Sequence, residues 1–200
     1  SVELFHIMSS QNGREYQLAR LNMKRRTLLK RSPIILAATG LCLSGVGALA
    51  WKKRWNYIVI HHSAGVSGNI DILQQVHRQR QASDPIDAIP YHYIIGNGRG
   101  LKVGEVASDW RQKYNIWGAH VSGRNFDHNF RGLGICLIGN LEEAAPAKEQ
   151  YDALVTLTRD LMHTYSIPLK NVTGHGMTPG ERTKCPGKYF PMEQFKKDLA

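Results

Sequence analysis

Residues 51–200 predict a single α/β domain, and three observations of the sequence carry that expectation. Short apolar runs rich in Ile, Val and Tyr alternate with segments whose apolar residues recur at helical spacing, the pattern of strands and helices packed in shared layers. Neither an internal repeat nor a low-complexity linker divides the stretch. About 150 residues is also length enough for one hydrophobic core.

The elements follow in order. YIVIHH (Tyr57–His62) reads as a buried strand ending in two histidines. Asn69–Ala82 sets Ile70, Leu73 and Val76 on one helical face, with Asp71 in the first turn, where a carboxylate suits the positive end of the helix dipole. PYHYIIGNGRG (Pro90–Gly100) is a strand running into a Gly/Asn turn, and LKVGEV (Leu101–Val106) is expected to return as its hairpin partner. GLGICLIGN (Gly132–Asn140) is a central strand. Ala147–Ser166 is the longest helix, with Leu154, Leu157, Leu161 and Met162 facing the core. KNVTGH leads into a Gly/Pro-rich loop, and PMEQFKKDL closes the domain as a helix with Pro191 near its start.

The first fifty residues read differently. A basic cluster from Met23 precedes an apolar stretch, Pro33–Ala50, that ends in the small-x-small pattern Ala48-Leu49-Ala50. That order of n-region, h-region and cleavage site predicts an export signal over residues 23–50. KRRTLLK (Lys24–Lys30) resembles the twin-arginine export motif, with Leu28 where Phe is preferred and Lys24 where Ser or Thr usually stands. The expected destination is the periplasm or cell envelope. A retained anchor is the alternative, because the apolar run is just long enough to span a bilayer and would give membrane contact through residues 33–50. Residues 1–22, which do not open on Met, read as an upstream extension, with Met23 as the natural start.

The formal charge of +10 reflects 26 basic and 16 acidic residues, and residues 1–50 hold seven of the former and two of the latter. The remaining +5 suits an anionic polymer such as a cell-wall glycan or a nucleic acid. No arginine-rich tract or base-reading module accompanies it, so a nucleic-acid partner is not expected. Of three cysteines, Cys42 falls in the apolar leader, where Leu41 argues against lipoprotein processing. Cys136 is a core thiol in an apolar run, and Cys185, in TKCPG, is flanked by turn residues. Two such dissimilar positions do not form a disulfide framework.

Neighbouring side chains on a strand point to opposite faces, so His61 and His62 cannot reach the same point. Alternation alone does not choose between them. His175 and Cys185, with nine residues between them on one irregular loop, could join a strand-end histidine in a three-ligand zinc site that keeps a position open for water. On spacing alone that pair is a weak signal.

Taken together, YIVIHHSAG, IPYHYIIGNG, WGAHVSG…GLGICLIGN and TGHGMTPGERTKCPG resemble the zinc-dependent N-acetylmuramoyl-L-alanine amidases. These share a fold with phage lysozyme-type amidases and animal peptidoglycan recognition proteins. The stretches occur in family order and cover most of residues 55–190. The resemblance implies a central mixed β-sheet flanked by helices, with residues 51–200 as a monomeric catalytic domain holding one Zn2+ per chain. It assigns the metal to His61, His175 and Cys185, with Cys where other relatives use Asp. By position it gives Tyr91 and Thr183 roles as hydroxyl donors to the water or the developing oxyanion, and more loosely it places His120 in the substrate groove. His77, His128 and His163 are left as surface or helix histidines, and His92 as a strand residue.

The substrate implied is peptidoglycan or its muropeptide fragments, cut at the amide joining N-acetylmuramic acid to L-alanine. Two departures stand out. VSGRNFDHNFRGL, between His120 and Gly134, is a few residues longer than in compact relatives and is expected to reshape one groove wall. The acidic residue that some relatives carry in the central strand has no counterpart, and no carboxylate presents itself as general base. A non-catalytic peptidoglycan-binding module on the same fold is the rival reading, although such relatives lack one or more ligands and this chain keeps all three.

Overall fold

The computed structural model describes residues 50, 51 and 53–200. The expected export segment, its arginine pair and Cys42 lie outside the described residues, save Ala50 at its end. Among the described residues, no helix is long and apolar enough to cross a membrane.

Five strands form one mixed sheet in the order β3-β2-β4-β1-β5. They are β1 (Tyr57–His62), β2 (Tyr93–Ile95), β3 (Val106–Ser108), β4 (Gly132–Leu137) and β5 (Val172–Gly174). The pairings of β1 with β4, β1 with β5 and β2 with β4 are parallel, and only the edge strand β3 runs antiparallel. The mixed sheet agrees with the expectation. The hairpin is shifted: the return strand begins at Val106, and Leu101–Glu105 forms the connecting turn instead. His92 stands just ahead of β2 rather than in it, with its Nδ1 accepting from Gly134 N–H at 3.0 Å.

Helix α1 (Ile70–Arg80) begins at Asn69, whose side chain caps the first turn by accepting from Ile72 N–H. Two short helices, α2 (Trp110–Lys113) and α3 (Phe126–Arg131), were not legible in the sequence; α3 lies within the lengthened stretch after His120. Helix α4 (Lys148–Tyr165) is the long one, and α5 (Met192–Leu199) follows Pro191.

Strand alternation divides the buried residues between two faces. Ile58 and Ile60 of β1 and Leu133, Ile135 and Leu137 of β4 pack with Leu154 and Leu161 of α4 and Phe195 of α5. Ile94 and Cys136 turn the other way, against Leu73 of α1. His61, one step out of phase with Ile60, therefore joins the Cys136 side, and the register sets it opposite Cys136 itself. Parallel strands end together, so the carboxyl ends of β1 and β5 meet at one place, the usual location of a site in such sheets.

Candidate metal centre

That place holds three potential ligands. His61 is 1% exposed and half-buried His62 turns away, its Nδ1 accepting from Leu141 N–H at 3.0 Å. His175 opens the turn directly after β5, and because β5 lies beside β1 its ring comes to 4.6 Å from that of His61, centre to centre. The loop then folds back: Gly176 N–H donates to Cys185 O, which brings the Cys185 sulfur to 3.7 Å from His61 Nδ1. One ligand atom from each of His61, His175 and Cys185 lies within 4.8 Å of the others. The choice between the adjacent histidines, open to alternation alone, falls to His61 in space.

The protonation states suit a metal ion. Burial, then the neighbouring His120, His175 and His62, hold the His61 imidazole well below its ordinary range. Burial also lowers His175, against the opposing pull of Glu181. Both rings are thus neutral near pH 7 and offer a lone pair. Burial pushes the Cys185 thiol up to about 12, opposed by the His62 N–H that points at its sulfur from 3.4 Å. An incoming cation must displace that proton. Two imidazoles and a thiolate in a half-closed pocket fit zinc, whose catalytic sites take three protein ligands and leave one position open.

A cleft of about 270 Å³ opens on the cluster. Leu73, Val76 and Arg80 of α1 form one wall, and Tyr91 and Thr183 also line it. The Tyr91 ring is 5.1 Å from that of His61. Burial, then the Cys136 and Cys185 sulfurs, raise its hydroxyl well above the ordinary phenol value, so it stays protonated and able to donate. Thr183 Oγ1 accepts from Cys185 N–H at 3.2 Å, which leaves its own O–H free to point elsewhere.

His120 touches the same cleft but is 5% exposed and sits behind His61, with its Nδ1 3.1 Å from His61 Nε2. His77 was expected as a surface or helix residue; it is helical but buried, because Asp84 meets its Nε2 at 2.7 Å on the domain side of α1. His128 stacks on Tyr57 and stands apart from the cluster. Sequence reasoning missed Glu181. Its Oε2 lies 3.2 Å from His175 Nε2, and the only available signal was a carboxylate six residues beyond a ligand histidine on a polar loop.

The family model for N-acetylmuramoyl-L-alanine amidases matches residues 51–188. The chain is similar to the solved N-acetylmuramoyl-L-alanine amidase LysC from Clostridium intestinale, at 28% identity and a TM-score of 0.60 over 74% of this chain and 87% of that one. It is 29% identical to peptidoglycan-recognition protein SD of Drosophila melanogaster over 78% of this chain and 88% of the relative. Drosophila PGRP-LB superimposes with a TM-score of 0.52 at 25% identity, covering 66% of this chain and 75% of that one. The match spans the whole sheet and all three candidate ligand positions, and the chain belongs to the N-acetylmuramoyl-L-alanine amidase family.

Proposed function

We propose that the protein is a zinc-dependent amidase, exported to the cell envelope, that hydrolyses the bond between the lactyl carbonyl of N-acetylmuramic acid and the nitrogen of L-alanine in peptidoglycan or its fragments. The observation that carries it is the His61–His175–Cys185 cluster at the floor of an open cleft. In this reading His61, His175 and Cys185 hold one zinc ion, which when bound acidifies a water molecule and polarises the scissile carbonyl. Tyr91 and Thr183 supply O–H donors from the cleft wall to the oxygen that gains charge as the carbonyl becomes tetrahedral. The carbon–nitrogen bond breaks, the water oxygen stays on the lactyl carbon, and the alanine nitrogen leaves as an amine.

The similarity to a recognition protein favours one rival, a module that binds peptidoglycan without cutting it. Retention of all three ligand positions supports the enzyme. The test is incubation of the purified full chain with peptidoglycan, with and without chelator, followed by mass spectrometry of the new ends. Chelator-sensitive release of peptides with a free L-alanine amine is expected; binding without new ends would establish the module instead.

A further inference from the structure

Each candidate ligand histidine has a ring nitrogen bonded to a residue outside the trio, and both partners lead to one short segment of chain. Gly132 O can only accept, so His120 Nε2, 3.2 Å away, must donate to it. A neutral His120 then presents Nδ1 as an acceptor, and His61 Nε2 must donate across 3.1 Å. That leaves His61 Nδ1 unprotonated on the side where the Cys185 sulfur lies. Glu181 does the same for His175: its Oε2 accepts from Nε2, leaving Nδ1 as the free lone pair. Glu181 is itself held, with Oε1 accepting from Ser122 N–H at 3.1 Å, from Ser122 Oγ at 2.8 Å and from Asn125 Nδ2 at 3.3 Å.

His120, Ser122 and Asn125 belong to one turn, and Asn129 of α3 fastens it. The Asn129 Oδ1 accepts from His120 N–H and Val121 N–H, while its Nδ2 donates to Val121 O and Ser122 O. The His120 ring fits a slot with no room for a side chain on either neighbour: a Cβ on Gly118 would stand 2.3 Å from its Cδ2, and one on Gly134 would stand 2.6 Å from it. A groove-lining histidine needs no such slot.

We propose that residues 120–125, fastened by Asn129, act as a positioning scaffold that fixes the tautomer and orientation of both ligand histidines, His61 through His120 and His175 through Glu181. This rests on the zinc reading above and deepens it. His120 and Glu181 are positioning residues, not ligands. The lengthened stretch after His120 supplies this support, since α3 carries Asn129 to it.

The test titrates the metal-free full chain with zinc against a chromophoric chelator, for wild type, His120→Phe and Glu181→Ala. Loss of the outer partner of a metal-bound histidine weakens zinc binding by roughly 10–100-fold. Each variant should show a loss of that order per folded chain; the metal-free melting temperature of His120→Phe should also fall, because its slot is tight and Gly132 O loses its donor. A second measurement needs no variant: 15N NMR of the metal-free wild type should show His61 and His175 protonated on Nε2, with a through-hydrogen-bond coupling between His61 Nε2 and His120 Nδ1. Wild-type zinc binding with unchanged affinity in both variants, or protonation of either ligand on Nδ1, would overturn the scaffold alone. A wild type that binds no zinc would overturn the zinc reading and the scaffold with it.

Discussion

The two faces of the sheet are built on opposite terms. On the α4 and α5 side, Ile58, Ile60, Ile135 and Leu137 meet Leu154, Leu161 and Phe195 in a continuous apolar core. Its buried polar chains are few, and Gln150 earns its place by donating to Ile95 O and Ile138 O. On the α1 side the apolar cluster shrinks to Leu73, Ile89, Ile94, Cys136 and Ile138. Around it are buried His61, Gln74, His77 and His120, each making at least one hydrogen bond, with Gln74 Oε1 left unpaired. Burying a polar group costs several kcal/mol unless it is bonded, so the α1 face holds its groups by mutual pairing and the α4 face by area removed from water. Stability resides chiefly in one face and the candidate metal site in the other. Because strands alternate, a single strand such as β1 serves both.

The sharpest way to break that comparison is within the adjacent pair. His61→Ala should drop zinc content from about one per chain to near zero, since a three-ligand site does not survive on two; His62→Ala should retain the metal, because His62 reaches the Leu141 backbone instead. Metal analysis of the dialysed proteins decides it, and equal loss in both would dissolve the division of faces. The converse experiment is Leu154→Ala on the α4 side. Deleting a fully buried leucine costs about 2–5 kcal/mol, visible as a lower melting temperature, while zinc per folded chain should stay at the wild-type level. Zinc loss from a still-folded Leu154→Ala protein would show the faces to be coupled.

What the sequence made legible follows the same division. The apolar side is written locally: Leu154, Leu157, Leu161 and Met162 recur at helical spacing, and α4 forms where that period runs. Strand β4 was equally plain as an unbroken apolar run buried along its length. The candidate ligand trio was legible only through the order of four stretches, since a lone His-x9-Cys on a polar loop carries little information. The support around the trio was not legible at all. Glu181 meets Ser122 and Asn125 across more than fifty positions of chain, and no local period encodes such a contact. The short helix α3 escaped for a related reason: PheAspHisAsnPheArg has little intrinsic helix preference, and its place is set by Tyr57 stacking on His128 and by the Asn129 bonds.

Smaller effects should come from Tyr91 and Thr183 on the cleft wall, which are not candidate ligands. Tyr91→Phe removes one hydroxyl and leaves the ring against His61. A group that bonds the transition state better than the substrate moves kcat and kcat/KM together, with little change in KM. Turnover of a muramoyl-peptide is expected to fall by roughly 10²-fold, about 2.7 kcal/mol, with zinc content and melting temperature unchanged. Thr183→Val should act the same way but more mildly on turnover, because a threonine hydroxyl reaches less far than a tyrosine hydroxyl. Steady-state kinetics with a metal assay on the same samples separates the cases: a normal kcat with a raised KM would make Tyr91 a lining residue only.

The smallest expected effect concerns the one ligand that arrives protonated. In the metal-free domain, burial pushes the Cys185 thiol up to about 12, so at neutral pH it carries its proton. Burial acts in the opposite sense on the imidazoles of His61 and His175, lowering both, so near pH 7 each is neutral and binds a cation through a lone pair without losing a proton. Zinc binding therefore displaces one proton from the ligand set, not three, and apparent affinity should rise about tenfold per pH unit from this source, about 1.4 kcal/mol. Calorimetric titration in buffers of differing ionisation enthalpy counts the protons. Cys185→Asp presents a carboxylate that is already ionised, so its count should fall short of wild type by about one, and any proton lost from solvent at the fourth position cancels in the difference. Equal counts in the two proteins would mean that Cys185 is already a thiolate before the metal arrives, and that the α1 face stabilises buried charge more strongly than its pairing of neutral groups implies.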